Sequence, residues 1–200
     1  GKKGKLLDIG CGNGNFLRVA RILGWETYGI EPNLFNAKES SKYASVKFGK
    51  MREDSFEENY FDVITCHSMF YYVEKPLVFL NNIKKMLKPK GIIVIKPIPN
   101  VDSFYAKMNI FQLLKSYPPG KVYYYFSTKT IDFLVKKAGL KVLSSTTSGL
   151  GTFTKNGIKI QKNSDKPNKT ITKKQSKTKF KSALKYFGSS FKFYNYGSSI

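Results

Sequence analysis

Leu6-Leu7-Asp8-Ile9-Gly10-Cys11-Gly12-Asn13-Gly14-Asn15-Phe16 is the stretch on which the fold turns. Leu6, Leu7 and Ile9 read as a buried strand. Gly10, Gly12 and Gly14 then predict a tight turn whose backbone no Cβ shields from a ligand. Phe16, Leu17, Val19, Ala20 and Leu23 follow at helical spacing. A strand, a glycine turn and a helix N-terminus together make a site for the polar edge of a nucleotide-like ligand.

The spacing narrows the ligand. The glycines run G-x-G-x-G, not the G-x-G-x-x-G of a dinucleotide site. Asp8 stands two residues before the first glycine. A carboxylate there repels a pyrophosphate and suits a ligand that brings an ammonium or sulfonium, which argues against a nicotinamide dehydrogenase. Glu31 ends a second short strand, Glu26 to Ile30, roughly 20 residues beyond the first glycine, where an acid meets a ribose diol. On its own Glu31 also reads as a solvated loop charge. Pro32 supports a strand end, because proline cannot continue a ladder.

Working outward, the chain alternates strand and helix. Strands are predicted at Lys5–Gly10, Thr27–Ile30, Ser45–Phe48, Phe61–Cys66, Gly91–Lys96 and Leu140–Thr146. Helices are predicted from Asn13 to Leu23, from an Asn33 cap to Lys42, from Pro76 to the Lys88-Pro89-Lys90-Gly91 stop, and from Thr130 to Ala138 after a Ser127 cap. This alternation implies a parallel sheet covered on both faces, with ligands beyond the carboxyl ends of its strands. Asp8, Glu31, Met51 and Cys66 to Met69 all fall at that edge. Residues 100–125 interrupt the pattern, with Phe104, Tyr105, Met108, Phe111 and Leu114 at helical spacing. Lys155 to Lys174 reads as a mobile lysine-rich loop, here taken as 155–175. Phe180 to Phe187 suggests a short helix and Phe191 to Ile200 a last strand.

Two hundred residues suit one domain with a real core. No apolar run is long enough to span a bilayer, and no signal peptide pattern opens the chain. The first residue, Gly1, is not Met, so the native chain is expected to start earlier. Two cysteines, Cys11 and Cys66, are too few for a disulfide framework. They read as reduced thiols of a cytoplasmic protein. The net charge is +22, and half of it comes from residues 155–192, which hold twelve lysines against Asp165 alone. Such an excess attracts nucleic acid or other anions. Lysine is a poorer reader of phosphate and bases than arginine, which weakens the nucleic-acid reading.

The set "LLDIGCGNGNF", "YGIEPN", "FDVITCHSMFYYVEKP", "MLKPKGIIVIKPIPN" and "YYYFSTKTIDFLVKKAGLKV" resembles the class I S-adenosylmethionine-dependent methyltransferases in order and spacing, from residue 5 to about residue 147. It is nearest to the subgroup acting on small molecules, lipid or quinone intermediates and sugars. The resemblance implies one domain over residues 1–200 with a Rossmann-like α/β fold. The sheet would be parallel, with helices on both faces and a final antiparallel strand, cut short at Gly197-Ser198-Ser199-Ile200. It implies S-adenosylmethionine as cofactor, S-adenosylhomocysteine as its product, and residues 100–125 as a substrate lid.

It also implies roles for residues. Gly10, Cys11, Gly12, Asn13 and Gly14 would face the amino-acid part of the cofactor, with Asp8 steadying its ammonium. Glu31 would take the ribose hydroxyls, with Pro32, Asn33 or Leu34, and Met51 near the adenine and Cys66 and His67 at the strand end. Relatives often carry "G-D-A" after the third strand and "H-V-L-E-H" after the fourth. Here Gly49-Lys50-Met51 and Ser68-Met69-Phe70-Tyr71-Tyr72 stand instead. Lys50 cannot accept from an adenine amino group, and Asp54 is a candidate substitute acid. His67, the sole histidine, is a candidate general base. Ser68, Tyr71, Tyr72, Tyr105 and Tyr117 are candidate acceptor contacts. One histidine without clustered partners predicts no metal site. Methyl transfer to a small-molecule acceptor is the leading reading. A cofactor-binding module without turnover and an RNA-modifying enzyme remain as alternatives.

Overall fold

The computed structural model describes residues 3–96, 98–102, 104–108, 110–146 and 157–162. Five parallel strands come first in the sheet: β1 (Lys5–Ile9), β2 (Glu26–Glu31), β3 (Ser45–Phe48), β4 (Phe61–His67) and β5 (Leu87–Lys96). β6 (Leu140–Thr146) and β7 (Gly157–Lys162) complete the order β3-β2-β1-β4-β5-β7-β6. β7 runs antiparallel to both β5 and β6. The chain reverses direction of travel across the sheet between β3 and β4, so the carboxyl ends of β1 and β4 flank the switch point where such sheets bind ligands.

Alternation along β1 explains the layering. Leu6 faces one core cluster with Cys11, Leu17, Ala20 and Val63, under helix α1 (Asn15–Ile22). Leu7 and Ile9 face the other with Ile64, Cys66, Ile93 and Ile95, under α3 (Pro76–Met86) and α6 (Thr128–Lys137). Successive side chains of a strand point to opposite faces, so a run of apolar residues serves both cores. α2 (Leu34–Ser40) begins as expected, with the Asn33 side chain accepting from Asn36 N at 3.0 Å. Ser127 caps α6 in the same way, accepting from Thr130 N at 3.0 Å.

Several boundaries move for identifiable reasons. α1 starts at Asn15, because Gly14 at φ 80° cannot be its first turn. The Lys88-Pro89-Lys90-Gly91 stop becomes an irregularity inside β5: Phe61 pairs with Leu87, but Val63 pairs with Ile92. Pro89 lacks a donor and Lys90 sits at φ 68°, which suits a bulge rather than a break. α3 buries Phe79, Leu80, Ile83 and Met86.

The stretch from 104 forms two short helices, α4 (Phe104–Met108) and α5 (Ile110–Ser116). Ala106 and Leu113 are buried there, while Met108 and Phe111 are 72% and 82% exposed. The helical face expected from Met108 and Phe111 is therefore not the buried one. The antiparallel strand is present, but at residues 157–162, inside the segment expected as a lysine-rich loop. Lys159 and Gln161 alternate with Ile158 and Ile160 in that run, and period two overrides the composition. The expected helix at 180–187, the last strand at 191–200 and the rest of the 155–175 loop lie outside the described residues.

Candidate functional site

The glycine turn is held from below and open above. Gly10, Gly12 and Gly14 have φ of 72°, 55° and 80°, the left-handed region that glycine enters without strain. Gly10 N and Cys11 N both donate to Ile30 O, at 2.8 and 3.2 Å, which docks the turn on the end of β2. A Cβ on Gly14 would stand 2.7 Å from Ser40 Cα, so this glycine lets α1 and α2 meet. A Cβ on Gly12 would meet nothing within 4 Å. The turn is therefore open on the Gly12 side.

Glu31 ties the turn to the neighbouring loop. Its buried carboxylate accepts from Gly12 N at 2.8 Å through Oε2 and from Asn33 N at 3.0 Å through Oε1. A carboxylate has about four lone-pair sites, so each oxygen keeps one for a hydroxyl donor. Gly49 N donates to Glu31 O at 3.0 Å, and this bond borders a cavity of about 330 Å³. Ile30, Phe48 and Gly49 give it an apolar side, and Lys47, Lys50, Arg52 and Asp54 a charged one. Met51 packs on the core beside it rather than lining it. Lys47, Phe48 and Arg52 were not expected from the sequence; nothing but their position at or just past the end of β3 marks them.

Asp8 lies beneath the turn, 1% exposed, and its Oδ1 accepts from Thr65 Oγ1 at 2.7 Å. Burial raises its pKa to about 7, the Thr65 hydroxyl opposes that rise, and the Glu31 charge adds to it. Both cysteines are free, buried thiols. Cys11 Sγ points at Ser40 Oγ, 3.6 Å away, and burial pushes it up to about 11. Cys66 sits in the core, with its pKa raised by burial well above the ordinary thiol value. Neither thiol faces the opening, so only the backbone of Cys11 and Cys66 belongs to the site edge.

His67 closes β4 with its ring 4.4 Å from that of Phe16. Its Nε2 is buried without a hydrogen-bond partner. Burial, then the Lys96 charge, lowers its pKa to about 3. A base that weak is mismatched to neutral pH, so burial and the neighbouring Lys96 charge weigh against the expected proton-accepting role. Lys96, the register partner of His67, was missed because a lysine ending a strand reads as a solvated charge. Met69, expected at this edge, also has a packing task there. It covers Gly10, where a Cβ would approach its side chain to 3.3 Å.

The acceptor candidates are partly assembled. Ser68 adopts φ 53°, a strained value for a side-chain-bearing residue, and its N donates to Lys96 O at 2.9 Å. Tyr71 is buried, with Tyr117 edge-on at 5.1 Å and Tyr72 tilted at 4.5 Å. Burial raises the phenol pKa of Tyr71 and Tyr117. Tyr72 is half exposed. Tyr105 lies on α4, and its side chain is outside the described residues. Among the described residues no group of three or more His, Cys, Asp or Glu is placed to hold a metal. None of the described helices is long and apolar enough to cross a membrane.

Asp8 and His67 make a pH prediction. Asp8's folded value lies above its ordinary 3.8, so its stabilisation is full at low pH and is lost as pH rises through about 7. The folded value of His67 lies below its ordinary 6.5, so its stabilisation is full above 6.5 and is lost as pH falls towards about 3. Between pH 3.8 and 6.5 the two slopes oppose and stability should be nearly flat. In Asp8→Asn only the histidine slope remains, and urea unfolding should show stability rising with pH by up to about 1.4 kcal/mol per unit. A flat profile in the variant would contradict the placement of His67.

A glycine turn at the switch point of a parallel sheet, followed one strand later by a buried acid, defines a nucleoside-binding α/β protein. The chain belongs to the methyltransferase-domain family, whose model matches residues 1–145. It is 28% identical over 130 residues to a ubiquinone biosynthesis O-methyltransferase of Actinobacillus pleuropneumoniae, covering 58% of this chain and 56% of that protein. The corresponding protein of Aliivibrio fischeri is 31% identical over 128 residues, covering 58% and 54%. The chain thus spans about half the length of the curated relatives it matches. Among solved structures, a SAM-dependent methyltransferase from Archaeoglobus fulgidus matches with TM-score 0.58 at 19% identity, covering 78% of this chain and 84% of that one. Magnesium protoporphyrin IX methyltransferase from Synechocystis, solved with bound S-adenosylhomocysteine, matches with TM-score 0.60 at 12% identity, covering 81% and 75%. These likenesses establish the fold.

Proposed function

We propose that this chain is an S-adenosylmethionine-dependent methyltransferase acting on a small-molecule acceptor. The observation that carries the reading is the Glu31 carboxylate, bonded to Gly12 N beside an open approach, with lone pairs left for a ribose diol. The neighbouring cavity of about 330 Å³ would receive the base attached to that ribose. Asn13 and the backbone of Gly10 to Gly14 would receive the amino-acid portion. Pro32 and Asn33 would flank the nucleoside, and Met51 would stiffen the wall behind it. When bound, the cofactor supplies an already activated methyl group on a sulfonium, so alignment and exclusion of water do much of the work.

Within this reading Asp8 acts as a buried counter-charge. With a pKa of about 7 it is half protonated at neutral pH, and an ammonium bound above it favours the carboxylate. Binding at pH 7 should therefore release about half a proton, seen by calorimetry in buffers of different ionisation enthalpy. Residues 1–200 are read as one methyltransferase domain, with residues 100–125, Tyr117 among them, as the acceptor-side lid next to Tyr71. Two free cysteines suit a reducing compartment, and the cytoplasm is the proposed location.

The test is transfer of a labelled methyl from S-adenosylmethionine to a panel of small aromatic, lipid and amine acceptors, with total RNA as a separate arm. Label in a small-molecule product supports the proposal. Label in RNA alone would replace it with the nucleic-acid reading that the lysine excess suggests. Cofactor binding with no transfer to any arm would reduce the chain to a binding module.

A further inference from the structure

His67 and Lys96 form the last rung of the β4–β5 ladder. Paired residues on neighbouring strands project from the same face, about 4.8 Å apart in strand spacing. Both residues end their strands at the edge that holds the glycine turn and Glu31. Ser68 N donates to Lys96 O at 2.9 Å, and Ser68 takes φ 53°, so the chain leaves the sheet abruptly just past this rung.

Two features of the rung are unexplained by the fold. The first is His67 Nε2, buried with no partner. Buried polar atoms are nearly always hydrogen-bonded, so an orphan of this kind calls for an explanation, and a ligand oxygen supplies one. The second is Lys96, half buried and without a carboxylate in any ion pair among the described residues. Burial lowers its pKa, and its charge reaches His67. An uncompensated ammonium beside a neutral imidazole has one complementary ligand: an anionic oxygen. Lys96 supplies the charge, and Nε2 in its protonated tautomer supplies a second hydrogen bond.

We propose that the acceptor carries a carboxylate or phenolate oxygen and that Lys96 Nζ and His67 Nε2 hold it at the end of the β4–β5 rung. The assignment rests on the methyltransferase reading for its meaning but not for its test. It makes Lys96 the specificity-determining residue and gives His67 a positioning task that a weakly basic ring can perform at neutral pH.

The sole histidine of the chain provides the readout, since its ring nitrogens give one set of nuclear magnetic resonance signals. The 200-residue chain is titrated with benzoate and its neutral analogue benzamide, and with 4-nitrophenolate and its neutral analogue 4-nitroanisole. The first pair tests a carboxylate and the second a phenolate. At least one anion should shift the His67 signals saturably, and its neutral analogue should not. Lys96→Met should weaken that anion about tenfold or more. Lys96→Arg should retain most of the affinity, and both variants should bind S-adenosylhomocysteine as the parent does. The proposal is overturned if neither anion shifts His67, if neutral analogues shift it equally, or if Lys96→Met binds as tightly as the parent. Anion binding without S-adenosylhomocysteine binding would keep this site and remove the cofactor reading; the reverse would remove this site alone.

Discussion

Glu31→Ala is expected to weaken S-adenosylhomocysteine binding by roughly two to three orders of magnitude. Two hydroxyl hydrogen bonds to a charged acceptor contribute on the order of 1.5–3 kcal/mol each before losses elsewhere, and about 1.4 kcal/mol is tenfold in affinity. The substitution also frees Gly12 N and Asn33 N, which Glu31 holds at 2.8 and 3.0 Å, so the turn loses its register with β2. Glu31→Gln is not a mild alternative. Both carboxylate oxygens accept from backbone N–H groups, whereas an amide offers one oxygen and one NH2. One N–H would then face a donor in a buried setting. Calorimetric titration of both variants, with circular dichroism to confirm the fold, checks this. Binding within threefold or so of the parent would exclude Glu31 as the ribose acid.

Gly14→Ala should be the most destabilising single methyl in the turn. Its φ of 80° costs an L-residue about 1–2 kcal/mol, and the new Cβ would lie 2.7 Å from both Ser40 Cα and Ser40 Cβ. Backbone cannot swing away as a side-chain tip can, so α1 and α2 must part. A loss of more than about 3 kcal/mol in urea unfolding is expected. Gly12→Ala is the matched control. Its φ of 55° carries the same conformational cost, but nothing lies within 4 Å. It should lose only about 1–2 kcal/mol of stability while its methyl occupies ligand space and lowers affinity tenfold or more. Equal stability losses in the two variants would contradict the packing described at Ser40.

How far the chain could be read in advance follows from which forces decide each part. The parallel sheet was legible because β1, β4 and β5 are apolar runs bounded by turn residues, and the alternation with helices leaves few topologies. Asn33 and Ser127 were legible as caps because their side chains act locally. β7 was not, because its place beside β5 is set by long-range pairing while lysines dominate the segment around it. The faces of α4 and α5 were misjudged because Phe111 and Met108, apolar but exposed, look no different in sequence from Leu113 and Ala106, which are buried.

At the site, Gly10 to Gly14 and Glu31 carried backbone and charge signals that spacing alone exposes. Thr65, which holds Asp8, and Lys96, which stands beside His67, meet their partners only through the pairing of β1 with β4 and β4 with β5. No local pattern announces such a contact. The same holds for His67, whose chemistry depends on burial and a neighbouring cation, not on its position in the chain.

Calorimetric titration of the folded 200-residue chain with S-adenosylhomocysteine is the most direct test of the central claim, that the glycine turn and Glu31 bind the methyl donor's nucleoside. The account predicts saturable binding at one site, lost in Glu31→Gln while the circular dichroism spectrum is kept. Absence of binding to the folded chain, or equal binding by Glu31→Gln, would contradict it.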